Sequence, residues 1–103
     1  MSKDKPRRGA GALRDRVALV TGGASGIGAA TAKLFAREGA AVCIVDLDEA
    51  GGGRIVREIT GAGGRALFVS GDVSLAADCQ RAVDLTVEAF GGLDILFNNA
   101  GII

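Results

Sequence analysis

The residues Thr21-Gly22-Gly23-Ala24-Ser25-Gly26-Ile27-Gly28 carry the first readable chemistry. They follow the apolar run Val17-Ala18-Leu19-Val20 and open a helical pattern. A strand that turns on glycine into a helix N-terminus presents backbone N–H groups and the positive end of the helix dipole, which together seat a phosphate. Glycine is needed where the chain turns sharply and where an anion must touch the backbone. Gly22, Gly26 and Gly28 are therefore candidate phosphate contacts. The spacing is Gly-x-x-x-Gly-x-Gly, which differs from the commonest dinucleotide fingerprint. A tight structural turn is the alternative reading of the same glycines.

Three further groups stand at the ends of apolar runs. Asp46 closes the second run, eighteen positions after Gly28. A carboxylate at that distance accepts hydrogen bonds from ribose hydroxyls and repels a 2′-phosphate, which favours NAD over NADP. Its alternative is a surface acid at a strand end. Asp72-Val73 follows the third run. Asp72 is an acceptor suited to the adenine amino group, or a turn residue before a helix. Asn98-Asn99-Ala100-Gly101 follows the fourth run. Its carboxamides can tie strands together or touch ribose, and an Asn/Gly-rich turn is the plain alternative.

To share one crevice, these groups need strands and helices in alternation. Apolar runs predict strands near residues 17–21, 41–46, 66–70 and 93–97. The first helix starts at Ser25 or Gly26, with Ile27, Ala30, Thr31, Leu34 and Phe35 on one face and Gly39 as its C-cap. Asp48 caps a second helix whose face is Ile55, Val56 and Ile59. Gly51-Gly52-Gly53 weakens that helix, at about 1 kcal/mol per glycine relative to alanine. Ser74 is the expected N-cap of a third helix, with Leu75, Cys79, Ala82, Val83, Thr86 and Phe90 on its inner face. Gly91-Gly92 stops it. Strands that are apolar throughout are buried on both faces, as in parallel sheets covered by helices. The expected fold is α/β, a doubly wound, Rossmann-like parallel sheet with strand order 3-2-1-4.

Composition sets the bounds. Among 103 residues, 49% are hydrophobic, enough for one folded domain. Formal net charge is +0, so no global field draws nucleic acid or a membrane surface. No apolar stretch reaches the length of a membrane span. Cys43 and Cys79 lie in apolar patterns and read as small core residues of a reducing, cytoplasmic compartment. With no histidine and no paired cysteine motif, no metal site is expected. Residues 1–15 are polar and basic and read as a flexible tail ahead of a domain over 16–103.

Together the four motifs resemble the short-chain dehydrogenase/reductase family, in family order and spacing, over residues 16–101. The resemblance implies an NAD(P)-dependent oxidoreductase acting on a small alcohol or carbonyl compound. It places Ile27 and its neighbours at the pyrophosphate, Asp46 and Leu47 at the adenosine ribose, and Asp72 and Val73 at adenine. Asn99, Ala100 and Gly101 fall near the ribose and the central sheet. Members that use NADP commonly carry a basic residue where this chain has Ser25 or Leu47, which again supports NAD.

The resemblance covers the N-terminal half of such a protein. The family's serine and Tyr-x-x-x-Lys are expected beyond Ile103, and the sequence contains no tyrosine. No residue here is assigned a catalytic role. A non-catalytic nucleotide-binding module and an inactive truncated product remain the alternatives, and a homo-oligomer is expected only of the full-length form. The fourth strand would leave Ile95, Leu96 and Phe97 as an apolar open edge. The isolated chain is therefore expected to be poorly soluble or partly molten. A sharp monomeric elution followed by a cooperative melt would contradict that expectation.

Overall fold

A computed structural model describes residues 11–99. Four strands and three helices alternate: β1 (Val17–Thr21), α1 (Gly26–Arg37), β2 (Ala41–Asp46), α2 (Glu49–Gly61), β3 (Arg65–Ser70), α3 (Ala76–Phe90) and β4 (Ile95–Asn98). The strands form one parallel sheet in the order β3-β2-β1-β4. Val17 pairs with Ala41, and Ala41 with Arg65, so the three longer strands start level.

Successive side chains of a strand point to opposite faces. In β1 and β2 this places Val20, Val42 and Ile44 in one core, with Ala29 and Ala32 of α1 and Ile55 and Ile59 of α2. Leu19, Cys43 and Val45 enter a second core with Val69 of β3 and Ala82 of α3. The helices thus cover both sides of the sheet, which is why β1 and β2 are apolar at nearly every position. The Phe35 and Phe97 rings meet edge to face at 6.3 Å beside the first core. Leu13 packs there too, and its N–H donates to the Glu38 carbonyl at the end of α1.

The buried face of α1 differs in part from the expected one: Phe35 packs against the core as expected, but Ile27 and Leu34 do not. Gly28, Ala29 and Ala32 are buried, whereas Ile27 is 71% exposed and Leu34 44%. Small residues let the helix axis approach the sheet closely, and that contact selects the face in preference to the bulkier stripe. Gly52 of α2 has the same explanation. A Cβ on Gly52 would overlap the Phe68 ring, so the helix settles onto β3 only because the side chain is missing.

The third helix also starts differently. Ser74 does not cap it; Leu75 holds the cap position and makes no side-chain capping bond. The Asp72 carboxylate instead takes both the N–H and the hydroxyl of Ser74. On the inner face Ala82 and Thr86 are buried, while Leu75 is exposed. The fourth strand begins at Ile95 and not at residue 93. Asp94 explains the shift: its carboxylate accepts from the Val17 N–H at 2.9 Å while its own N–H donates to the Val17 carbonyl at 2.8 Å.

On β4, Leu96 is 62% exposed. Replacing Leu96 with Lys should reduce self-association in size-exclusion chromatography, because a charge on an edge strand opposes sheet-to-sheet pairing. The unfolding free energy should stay within about 0.5 kcal/mol of the parent, as for surface substitutions generally.

Candidate functional site

The glycine turn is built at the carboxyl end of β1. Gly22 donates its N–H to the Val45 carbonyl at 2.8 Å, joining the turn to β2. Gly22 and Gly26 have φ of 67° and 59°, in the left-handed region where a side chain is strained. At Gly26 an added Cβ would meet nothing within 4 Å, so the space above the turn is open. At Gly28 a Cβ would run into the Gly22 carbonyl and would lie 3.1 Å from Asn99 Nδ2. The turn, the first helical residues and Asn99 therefore converge, and the absent side chain at 28 is what allows it.

The start of α1 is the one helix start among the described residues that has neither a side-chain cap nor an acid in its first turn. The first N–H groups of a helix have no intrahelical acceptor. In α2 the Asp48 carboxylate accepts from Gly51 N–H at 2.9 Å, with Glu49 in the first turn. In α3 the first turn contains Asp78. In α1 Ser25 makes no capping bond, the first turn holds no acid, and Ser25, Gly26 and Ile27 are exposed. Partial positive charge is left facing open space.

Asp46 closes β2 beside that turn. One carboxylate oxygen accepts from the Ala24 N–H and the other from the Asp48 N–H, both at 3.0 Å. Its backbone carbonyl accepts from Gly71 N–H at 3.1 Å. The carboxylate is thereby fixed against the glycine turn, and each oxygen keeps a further lone pair for a ligand hydroxyl. Leu47, next in the chain, is 68% exposed.

After β3, Asp72 accepts from Ser74 N–H at 2.9 Å and from the Ser74 hydroxyl at 2.7 Å, both on Oδ1. These two bonds hold its pKa below the usual carboxylate value. Asp72 therefore acts as an ionised acceptor at neutral pH. The sign follows from linkage: its contribution is present above the unfolded pKa and is lost as pH falls through the lowered folded value. Val73 packs against the second core, and its carbonyl accepts from the Cys79 thiol at 3.2 Å.

Asn98 does tie strands together, since its Oδ1 accepts from the Thr21 hydroxyl across β1 and β4 at 3.0 Å. Asp46 is the last residue of β2, and Gly22 through Gly28, Leu47, Asp72, Val73 and Asn99 follow strand carboxyl ends, so all share that end of the sheet. Ala100 and Gly101 lie outside the described residues. Asp78 and Arg81 escaped sequence reading. Only the i, i+3 spacing of Asp78 and Arg81 near a helix start gave a signal, and it reads as an ordinary surface pair.

Among the described residues no grouping of His, Cys, Asp or Glu can hold a metal ion. Both cysteines are free, and burial pushes the Cys43 thiol pKa up, so that sulfur stays protonated and inert. No helix among the described residues is long and apolar enough to cross a membrane.

A family model described as short chain dehydrogenase matches residues 16–103. The chain is 57% identical over 91 residues to a 2,5-dichloro-2,5-cyclohexadiene-1,4-diol dehydrogenase of Sphingobium indicum, covering 88% of this chain and 36% of that protein. It is 47% identical over 92 residues to the xanthoxin dehydrogenase of Arabidopsis thaliana, covering 87% of this chain and 32% of the relative. The crystal structure of a dehydrogenase/reductase from Sinorhizobium meliloti superimposes with a TM-score of 0.83 at 49% identity, over 87% of this chain and 36% of that one. The chain thus spans about a third of the length of these relatives.

Gly28→Ala should destabilise the chain by about 1–3 kcal/mol, the range for overpacking, because the new methyl meets backbone that cannot rotate away. At Gly61 an added Cβ meets nothing within 4 Å. Gly61→Ala should therefore be neutral or slightly stabilising. Urea unfolding of the two variants beside the parent separates packing at the turn from a general intolerance of alanine.

Proposed function

The chain belongs to the short chain dehydrogenase family, and from that premise we propose that residues 16–103 are the NAD-binding unit of a cytoplasmic oxidoreductase. The family uses nicotinamide cofactors and acts on small molecules. The observation that carries the proposal is the uncapped, acid-free start of α1 above a glycine turn with open space at Gly26. A pyrophosphate fits that chemistry, and a Cβ at Gly28 would close the turn's geometry.

In this reading Gly22, Ser25, Gly26, Ile27 and Gly28 hold the pyrophosphate through backbone N–H groups, with the free Ser25 hydroxyl as a further donor. Asp46 accepts from the adenosine ribose hydroxyls. Its two bonds to backbone N–H groups fix the carboxylate before ligand arrives, which reduces the ordering cost of binding. A 2′-phosphate would meet that fixed negative charge, so NAD is preferred to NADP. The exposed Ile27 and Leu47 supply apolar cover to either side, and Asp72 with Val73 receives adenine. Asn99 lines the crevice towards the central sheet, and Ala100 and Gly101 are assigned to the cofactor by the family motif alone. When bound, the nicotinamide carries hydride to or from an alcohol or carbonyl carbon. The contribution of these residues is to bind and orient the cofactor. Proton transfer at the substrate oxygen and homo-oligomer formation are proposed only for the full-length enzyme.

Calorimetric titration of soluble chain that gives a cooperative melt, with NAD and with NADP, tests the reading. NAD should bind about tenfold more tightly, since like charges brought together at a binding surface are strongly disfavoured. Asp46→Asn, which keeps an acceptor but loses the charge, should shrink that ratio towards one. Equal affinities in parent and variant would refute the NAD assignment, and no heat with either nucleotide would refute nucleotide binding itself.

A further inference from the structure

The connection from β3 to α3 is held at three consecutive residues. Arg81 Nη2 donates to the Ser70 carbonyl at 2.8 Å. Gly71 N–H donates to the Asp46 carbonyl at 3.1 Å, and Asp72 N–H donates to Asp78 Oδ2 at 2.8 Å. Arg81 and Asp78 also approach each other at 3.5 Å across one turn of α3. Gly71 is buried between them, and a Cβ there would lie 3.4 Å from Asp78 Cβ and 3.5 Å from Arg81 Nη2.

The Arg81 and Asp78 side chains are 48% and 27% exposed. Ion pairs so well solvated contribute little to global stability. Their bonds to the backbone of Ser70 and Asp72 have a more specific effect, because Asp72 Oδ1 is already occupied by both donors of Ser74. Among the described residues Oδ2 receives no hydrogen bond. The direction in which that free acceptor points is set by the backbone at 72, which Asp78 holds from one side and Arg81 steadies two residues earlier.

We propose that Asp78 and Arg81 are positioning residues for base recognition, clamping residues 70–72 so that Asp72 presents its free oxygen to the amino group of adenine. The proposal rests on the nucleotide-binding reading above and adds to it a determinant lying outside the glycine turn and outside Asp46. Adenine offers a donor at its 6-position, and hypoxanthine offers a carbonyl that a carboxylate rejects. A loosened loop lets Asp72 turn away and erases that distinction. The phosphate seat on α1 and the ribose acceptor on β2 belong to other elements and stay in place.

The test is titration of the chain with AMP and with IMP. The parent should prefer AMP about tenfold, the scale of one hydrogen bond to a charged group. Arg81→Leu and Asp78→Ala should bring the ratio to within about twofold, with IMP affinity and melting temperature nearly unchanged. Arg81→Lys, which keeps a donor, and Asp78→Asn, which keeps an acceptor, should restore most of the preference. Equal weakening of AMP and IMP in the Leu and Ala variants would show a purely structural role and overturn the clamp. Asp72→Ala separates the two levels. If it removes the preference while Arg81→Leu and Asp78→Ala retain it, the clamp fails and the adenine contact stands. If the parent shows no preference and Asp72→Ala changes nothing, the adenine reading itself fails.

Discussion

Most of the candidate site hangs on the carboxyl end of β2, where Asp46 joins three separate loops. Its side chain accepts from Ala24 in the glycine turn and from Asp48 at the start of α2, and its carbonyl accepts from Gly71 beyond β3. Each bond satisfies a backbone N–H that lies outside regular structure. The same residue that is proposed to face a ligand therefore also sets the distances between the glycine turn and the β3–α3 loop. Structural and ligand-facing roles cannot be separated there by simple truncation, which is why charge-neutral substitution is the informative perturbation at that position.

The second organising constraint is how near the helices come to the sheet. Gly28, Ala29 and Ala32 on α1 and Gly51 and Gly52 on α2 are all buried and all small. Glycine in a helix costs about 1 kcal/mol against alanine, and here the contacts with Gly22, Asp48 and Phe68 leave no room for a Cβ. Close packing of dense interiors offsets the unfavourable propensity. The result brings the start of α1 next to Gly22 and Asn99 and keeps its unsatisfied N–H groups at the strand ends.

How much of this was readable in the sequence depends on the kind of interaction. The strand order, the limits of β1 and β2, and the Asp48 cap followed from apolar runs and local spacing. The buried face of α1 followed only in part, because hydrophobicity ranks Ile27 and Leu34 above alanine while the packing distance ranks alanine first. The Ser74 cap failed for a related reason. Asp72, two residues earlier, accepts from Ser74's own N–H and hydroxyl, and a pattern of residue types does not say that the serine will serve as donor to that loop instead of as acceptor for the helix. The Asp94 clasp on Val17 joins residues 77 positions apart, beyond any local signal. At the site, the glycines, Asp46 and Asp72 stood out because their types and strand-end positions are chemical signals. Asp78 and Arg81 did not, since their partners are backbone atoms that every sequence possesses.

Leu13 has a practical consequence. It docks on the first core, and its N–H meets the Glu38 carbonyl just before β2 begins, at the amino ends of the strands. The crevice proposed for nucleotide lies at the other end, at the carboxyl ends of the strands. The Leu13 anchor and the strand carboxyl ends occupy opposite ends of the sheet, so a change at one is separated from the other by the full length of the strands.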